Sequence, residues 1–173
     1  APACLRHVST TWVLISKSGT AFVMDCGDLP VVTELQRWLA AGEITSVEGL
    51  WITHTHYDHV DAIPEFQQVF DCPLYTDPVV ADVITNPRAW RLPCTSPIIA
   101  LVDHPTADGE QWQWHEFTFT AYNFPGQTLY HDGLLVESAD WPSMFFVGDS
   151  FALAGIDDYC AHNRNFLGAG VGY

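Results

Sequence analysis

The order of apolar segments predicts an α/β fold built on a mixed sheet. Three observations lead there. Two short apolar runs joined by a turn open the chain, buried strands alternate with amphipathic helices through its middle, and period-two β-structure follows Gly109.

The hairpin comes first. Trp12-Val13-Leu14-Ile15 and Ala21-Phe22-Val23-Met24 flank Lys17-Ser18-Gly19, whose residues suit a turn, and the second run ends at Asp25. Asp28 stands two residues before Pro30, with Val31, Val32, Leu35, Trp38 and Leu39 at helical spacing and Gly42 behind them. That is the pattern of an amphipathic helix capped at both ends. Residues 50–53 read as a short buried strand running straight into a histidine-rich segment. Pro64 opens a helix with Phe66, Val69 and Phe70 on its apolar face. Residues 73–76 form the next strand, Asp77-Pro78 opens a helix reaching Ile84 that Asn86-Pro87 stops, and residues 98–102 are expected as a third strand of this kind. After Asp108-Gly109, Trp112, Trp114, Phe117, Phe119 and Ala121 alternate with Gln113, Glu116, Thr118 and Thr120, and the aromatic members are expected in the core. Two buried runs follow at 134–136 and 144–147, and the Gly- and Asn-rich tail from Asn163 predicts no element.

Neither repeat nor linker interrupts the 173 residues, so residues 1–173 are expected to form one domain. A chain of this length buries about 70 % of its unfolded surface and needs no disulfide staples. A 48 % hydrophobic composition and a mean hydropathy of +0.07 exclude disorder, collagen and coiled coil. No apolar run approaches the roughly 18 residues of a membrane span. Six Lys and Arg against 21 Asp and Glu give a net charge of −15, which argues against nucleic acid and anionic membrane as partners, since such binding rests on basic residues. The five cysteines are scattered, without C-x-x-C. A reducing, cytoplasmic compartment is therefore the expectation, although a start at Ala1 leaves a removed signal peptide open.

The chemistry concentrates in Thr53-His54-Thr55-His56-Tyr57-Asp58-His59. Imidazole is the commonest metal ligand at neutral pH, and Zn²⁺ takes nitrogen and carboxylate donors. The i, i+2 spacing lets His54 and His56 converge on one ion, while Asp58 and His59 point differently and suit a second. The segment also follows a buried strand, and α/β proteins build their sites at carboxyl ends of strands. No G-x-S-x-G elbow and no Gly-rich phosphate loop competes with this assignment.

H-x-H-x-D-H after a hydrophobic strand resembles the signature of the metallo-β-lactamase-fold hydrolases. Asp25-Cys26-Gly27, Phe124-Pro125-Gly126-Gln127-Thr128 and Gly148-Asp149-Ser150 resemble further segments of that family, in the same order. The resemblance implies an αββα sandwich with a one- or two-zinc site at one edge, iron or manganese being the alternatives. Carried over by position, His54 and His56 bind the first metal, Asp58 and His59 the second, and Asp149 bridges both. Asp58 doubles as the candidate catalytic carboxylate beside a metal-bound hydroxide.

The chain departs from the family pattern in two places. Gln127 stands where the family has a ligating His; either His131, four residues on, takes over as ligand, or Gln127 orients one. Beyond Asp149 the sequence offers only His162 as a late ligand, and the family's extra strand before Trp12 is missing. The sandwich is thus expected to be incomplete at both ends, completed by a second copy or by the remainder of a longer chain. His7, His104 and His115 are isolated, Asp61 is a candidate acceptor near the metals, and Tyr57 a candidate donor to substrate. Arg88 and Arg91 form a local patch able to hold a single carboxylate.

The leading function is a metal-dependent hydrolase of an ester, lactone, thioester or amide-type small molecule. The alternatives are a degenerate domain that binds metal with little catalysis and a mononuclear iron thiol or persulfide dioxygenase.

Overall fold

The computed structural model describes residues 9–90, 92 and 94–150. Strands β1 (Trp12–Ile15) and β2 (Thr20–Met24) form the expected antiparallel hairpin, Trp12 opposite Met24. Helix α1 (Leu29–Ala41) follows. The Asp28 side chain caps it by accepting from the Leu29 amide at 2.7 Å, and Gly42 at φ 70° ends it in the left-handed conformation open to glycine. Strand β3 (Ser46–Trp51), helices α2 (Tyr57–Val60) and α3 (Ile63–Phe70), and strand β4 (Leu74–Thr76) come next. Helices α4 (Pro78–Thr85) and α5 (Pro87–Trp90) lead to the two-residue strand β5 (His104–Pro105). Strands β6 (Gln111–Trp114), β7 (Phe117–Asn123), β8 (Asp132–Glu137) and β9 (Met144–Phe146) complete the described residues, with a 3₁₀ turn at Gly148–Ser150.

These strands make two sheets. The first, ordered β1-β2-β3-β4-β5, is mixed: β1 is antiparallel, and β2 to β5 are mutually parallel. The second, β6-β7-β8-β9, is antiparallel throughout. Strand alternation divides the interior into two cores. Ala21, Val23, Leu50, Ile52 and Leu74 meet Val32 and Leu35 of α1, Ile63 and Phe66 of α3, and Val80 and Ile84 of α4. From the other face, Phe22, Met24 and Trp51 meet Phe117, Phe119, Ala121, Leu134 and Val136 of the second sheet. Strand β2 is consequently buried along its whole length. The described residues thus stack as α/β/β; the second helical layer of the expected sandwich is not seen among them.

Three sequence expectations need correction. Residues 98–102 form no strand: Ile99 and Leu101 are 61 % and 74 % exposed, and the edge position beside β4 goes instead to His104 and Pro105, registered on Tyr75 and Thr76. An apolar run at a sheet edge has no partner forcing it into register. Strand β3 begins earlier than 50–53 and stops at Trp51, because Thr53 turns its amide to the Asp25 carboxylate at 2.8 Å. The histidine-rich segment, for which no helix was expected, contains the helical turn α2. By contrast, Trp112, Trp114 and Phe117 do pack in or against the inter-sheet core as expected.

Candidate metal centre

Because β2 and β3 are parallel, their carboxyl ends deliver Asp25 and the segment from Thr53 onward to one edge of the sandwich. The second sheet arrives there through the start of β8 and the turn after β9. His131 forms an isolated bridge with His54, and the Asp132 amide donates to the Thr53 carbonyl at 2.8 Å. The seam between the sheets therefore ends in a cluster of imidazoles: the His54 ring lies 4.1 Å from His59, 4.6 Å from His56 and 4.5 Å from His131, the last nearly parallel at 15°.

His54, His59 and Asp149 each direct a ligand atom into the cluster, all within 4.8 Å of one another. His56 touches the same group, its Nδ1 lying 3.1 Å from His54 Nε2. Asp58 Oδ2 lies 3.5 Å from His59 Nε2, as does Asp149 Oδ1. Gln127 Nε2 lies 3.4 Å from Asp149 Oδ2, so the residue standing in the family's histidine position sits beside a candidate ligand. His131 stacks behind His54 and is outside the 4.8 Å group. His162, His7 and Arg91 lie outside the described residues. His104 stacks on Tyr75, and His115 meets Glu48 at 2.8 Å, both away from the cluster. Asp61 accepts from the Ser96 hydroxyl at 2.5 Å, and the Tyr57 amide donates to the Cys94 carbonyl.

Three residues not singled out as ligands hold the cluster in shape. Asp25, at φ 58° and 4 % exposed, accepts from the Thr53 hydroxyl at 2.8 Å and lies 2.9 Å from His59 Nδ1. A proton on Nδ1 leaves Nε2 of His59 facing Asp58 and Asp149, which is how a carboxylate orients a histidine ligand. Thr53 reaches His54 Nδ1 at 3.0 Å in the same way. Asp132 Oδ2 accepts from the Thr76 hydroxyl at 2.7 Å and the Asp77 amide at 2.5 Å, tying β8 to the end of β4. The signal for these residues was a carboxylate or hydroxyl interrupting an apolar run, visible at Met24-Asp25 and Asp132-Gly133-Leu134. Gly148 completes the approach: at φ 48°, a Cβ on it would lie 2.4 Å from Thr53 Oγ1 and 3.0 Å from His131 Cε1.

The electrostatics follow from burial among like groups. Burial, reinforced by the charge on His59, pushes the His131 imidazole down to about 3. Burial and the three neighbouring imidazoles hold His54 well below its ordinary value. Burial also opposes charge on His59, yet the Asp25 and Asp149 carboxylates outweigh it and push the group up to about 10. Burial would raise Asp149, but the His59 imidazole keeps it below the usual carboxylate range. In Asp132, burial lifts the carboxyl well above that range. Two buried nitrogens, His59 Nε2 and His131 Nε2, make no hydrogen bond, and His59 Nε2 lies 3.5 Å from a carboxylate oxygen of both Asp58 and Asp149. A donor set of two imidazoles and a carboxylate, with an orphaned Nε2 aimed among them, fits a transition-metal ion.

Comparison with known proteins agrees with this geometry. The profile of the metallo-beta-lactamase superfamily matches residues 5–151. The chain belongs to that superfamily. A hydroxyacylglutathione hydrolase of Vibrio parahaemolyticus is 26 % identical over 144 residues, covering 83 % of this chain and 47 % of that protein. An uncharacterized protein of Aquifex aeolicus is 27 % identical over 129 residues, 70 % of this chain and 56 % of its own length. The chain thus spans about half the length of the curated relatives it matches. Among solved structures, a metallo-beta-lactamase of Cronobacter sakazakii carrying a mutated HARLDQ motif superposes with TM-score 0.71 at 18 % identity, over 92 % of this chain and 64 % of that one. The subclass B3 metallo-beta-lactamase of Bradyrhizobium japonicum gives TM-score 0.68 at 14 % identity, over 94 % and 62 %. No helix among the described residues is long and apolar enough to cross a membrane.

Proposed function

We propose that the chain is a metal-dependent hydrolase of a small carbonyl compound: an ester, lactone, thioester or amide. The observation that carries this reading is that His59 and Asp149, two of the three clustered ligand residues, line an open cleft of about 460 Å³ together with Asp58. His54, His59 and Asp149 would hold the ion, with His56 and Asp58 beside them; zinc suits the donors, and iron or manganese is compatible. When bound, the ion lowers the pKa of water and polarises the substrate carbonyl. The chain's own residues do the rest. Asp25 keeps Nε2 of His59 turned inward, and Asp58 takes a proton from the attacking water. The water oxygen bonds to the acyl carbon, the bond to the leaving oxygen, sulfur or nitrogen breaks, and that atom departs with the electron pair and takes up the proton. Support comes from the relatives named hydroxyacylglutathione hydrolases, whose name denotes removal of an acyl group.

A second reading rests on the composition of the ligand group. Two histidines and one carboxylate are also the donor set of non-heme iron oxygenases, so an iron-loaded thiol or persulfide dioxygenase is the competing activity. Metal analysis of protein purified without added metal, followed by hydrolysis and oxygen-uptake assays, separates the two. Zinc with hydrolysis is the expected result, and His59→Ala should lose both metal and turnover. Undiminished hydrolysis in that variant overturns the proposal, and iron with oxygen uptake installs the second reading. Metal retained with neither activity would mark a metal-binding domain without catalysis.

A further inference from the structure

Asp149 turns its two carboxylate oxygens to different neighbours. Oδ1 lies 3.5 Å from His59 Nε2, and Oδ2 lies 3.4 Å from Gln127 Nε2. Gln127 is 7 % exposed, and its side chain also hydrogen-bonds the His54 imidazole. An amide oxygen turned toward Asp149 would meet a carboxylate, so the nitrogen faces it and donates. Backbone packing keeps the two residues opposite one another. Ser150 closes on Gly126 so tightly that a Cβ there would lie 2.5 Å from Ser150 Oγ and 2.9 Å from Ser150 Cα, which sets residue 127 beside residue 149.

The donors around Asp149 fall into two pairs. His54 Nε2 and His56 Nδ1 stand 3.1 Å apart, and His59 Nε2 and Asp58 Oδ2 stand 3.5 Å apart. Neighbouring ligands of one tetrahedral zinc, at bonds of about 2.0–2.2 Å, stand roughly 3.3–3.6 Å apart, so either pair could begin a coordination shell. Paired divalent ions lie about 3.5–4 Å apart, and their mutual repulsion calls for an anionic oxygen on each. Among the described residues, Asp149 is the carboxylate whose ligand atom lies within 4.8 Å of those of both His54 and His59. With Oδ2 accepting from Gln127, it has Oδ1 to give.

We propose that Gln127 confines the centre to one metal ion, by holding Asp149 Oδ2 in a hydrogen bond and so preventing Asp149 from bridging a pair. Gln127 is a positioning residue: it acts through Asp149, on any second ion placed between the two donor pairs, whichever residues complete that ion's shell. The inference rests on the metal-dependent reading above and sharpens it. A single ion held by His54, His59 and Asp149 leaves the Asp58 carboxylate to take the proton from water, a role that a second ion would claim for coordination.

Zinc titration of metal-free protein by calorimetry, checked by elemental analysis after dialysis, should saturate at one equivalent in the parent. Gln127→His, which supplies an imidazole and releases Oδ2, should saturate at two. Gln127→Leu removes the amide donor without adding a ligand and should admit a second, weaker equivalent. Cobalt(II) loading adds a signature that a merely structural role would not move: magnetic coupling between paired ions should appear in Gln127→His and not in the parent. Two equivalents in the parent, or one in Gln127→His that is folded by circular dichroism, overturns the confinement. Gln127→Leu that still saturates at one assigns the limit to a lacking ligand and overturns the role of the hydrogen bond. If Gln127→His does not fold, the parent's own stoichiometry decides. None of these readings uses a substrate. One ion in the parent and two in Gln127→His, with no ester hydrolysed, leaves the confinement standing while the hydrolase reading falls; hydrolysis by a parent holding two ions does the reverse.

Discussion

The seam between the two sheets is filled by aromatic packing along its middle and by polar groups at one end, and the two regions are about equally buried. In the middle, Phe22 meets Phe119 and Trp114 edge-on at 4.9 and 5.5 Å, and Trp51 stacks on Trp112 at 6.1 Å. At the end, His54 and His131 are fully buried, and His59 and Asp25 are nearly so. Burial stabilises the first region, because each ring leaves water for a fitted neighbour. It works against the second, where a buried nitrogen without a partner costs about 1–3 kcal/mol. The aromatic seam holds the fold, and the stability it supplies allows an unfavourable imidazole cluster to persist until a ligand satisfies it.

The strongest way to break this comparison is Phe119→Ala. Loss of that ring from the inter-sheet core should lower unfolding free energy by about 3–5 kcal/mol, read from the denaturant midpoint, while metal stoichiometry of the folded protein stays as in the parent. A loss below about 1 kcal/mol would mean the seam is not what holds the sheets together.

A smaller effect is expected at the polar end. Asp25→Asn keeps the size of the side chain and tolerates φ 58°, but removes the charge that fixes His59. Metal affinity should fall by about 10–100-fold with the fold intact by circular dichroism. Unchanged affinity in a competition titration would remove Asp25 from its positioning role.

The most diagnostic effect is on pH. His59 is raised from 6.5 to about 10, so its stabilising charge is fully present below pH 6.5 and is lost as pH climbs toward 10. His131 is lowered from 6.5 to about 3, so the folded state resists a proton that the unfolded state accepts, and stability falls as pH drops from 6.5 toward 3. Metal-free protein should therefore be most stable near pH 6.5, with each group contributing at most about 1.4 kcal/mol per pH unit on its own flank. Metal should flatten the alkaline flank, since the ion replaces the proton on His59. A metal-free thermal midpoint that keeps rising from pH 7 to 10 would contradict the Asp25–His59 pairing.

Much of the frame was legible without coordinates. The hairpin, both caps of α1 and the period-two strands β6 and β7 follow from local rules, because a capping Asp, a terminal Gly and strict alternation act within a few residues of themselves. The candidate ligands were legible for the same reason, since their spacing is chemical. What failed or stayed open depended on partners distant in sequence. Residues 98–102 look like a strand until β5 takes the place beside β4. His131 is distinguishable from an ordinary surface histidine only once its bridge to His54 brings the second sheet alongside. Asp25 reads as a strand end and Asp132 lies outside the buried run at 134–136, and their roles emerge when Thr53, His59 and Thr76 arrive from other strands.

The bridge between His54 and His131 has a consequence for how the molecule comes apart. His54, His56, Asp58 and His59 all come from the segment before β6, whereas Gln127, His131 and Asp149 come from the segment after it. Each half of the polypeptide carries part of a ligand set and a single face of the seam. Cut in the loop between β5 and β6, the two fragments would each lack a site, and tight metal capture would return only on their reassociation. The ion would then act as a reporter of complementation, reading out whether the halves have found one another.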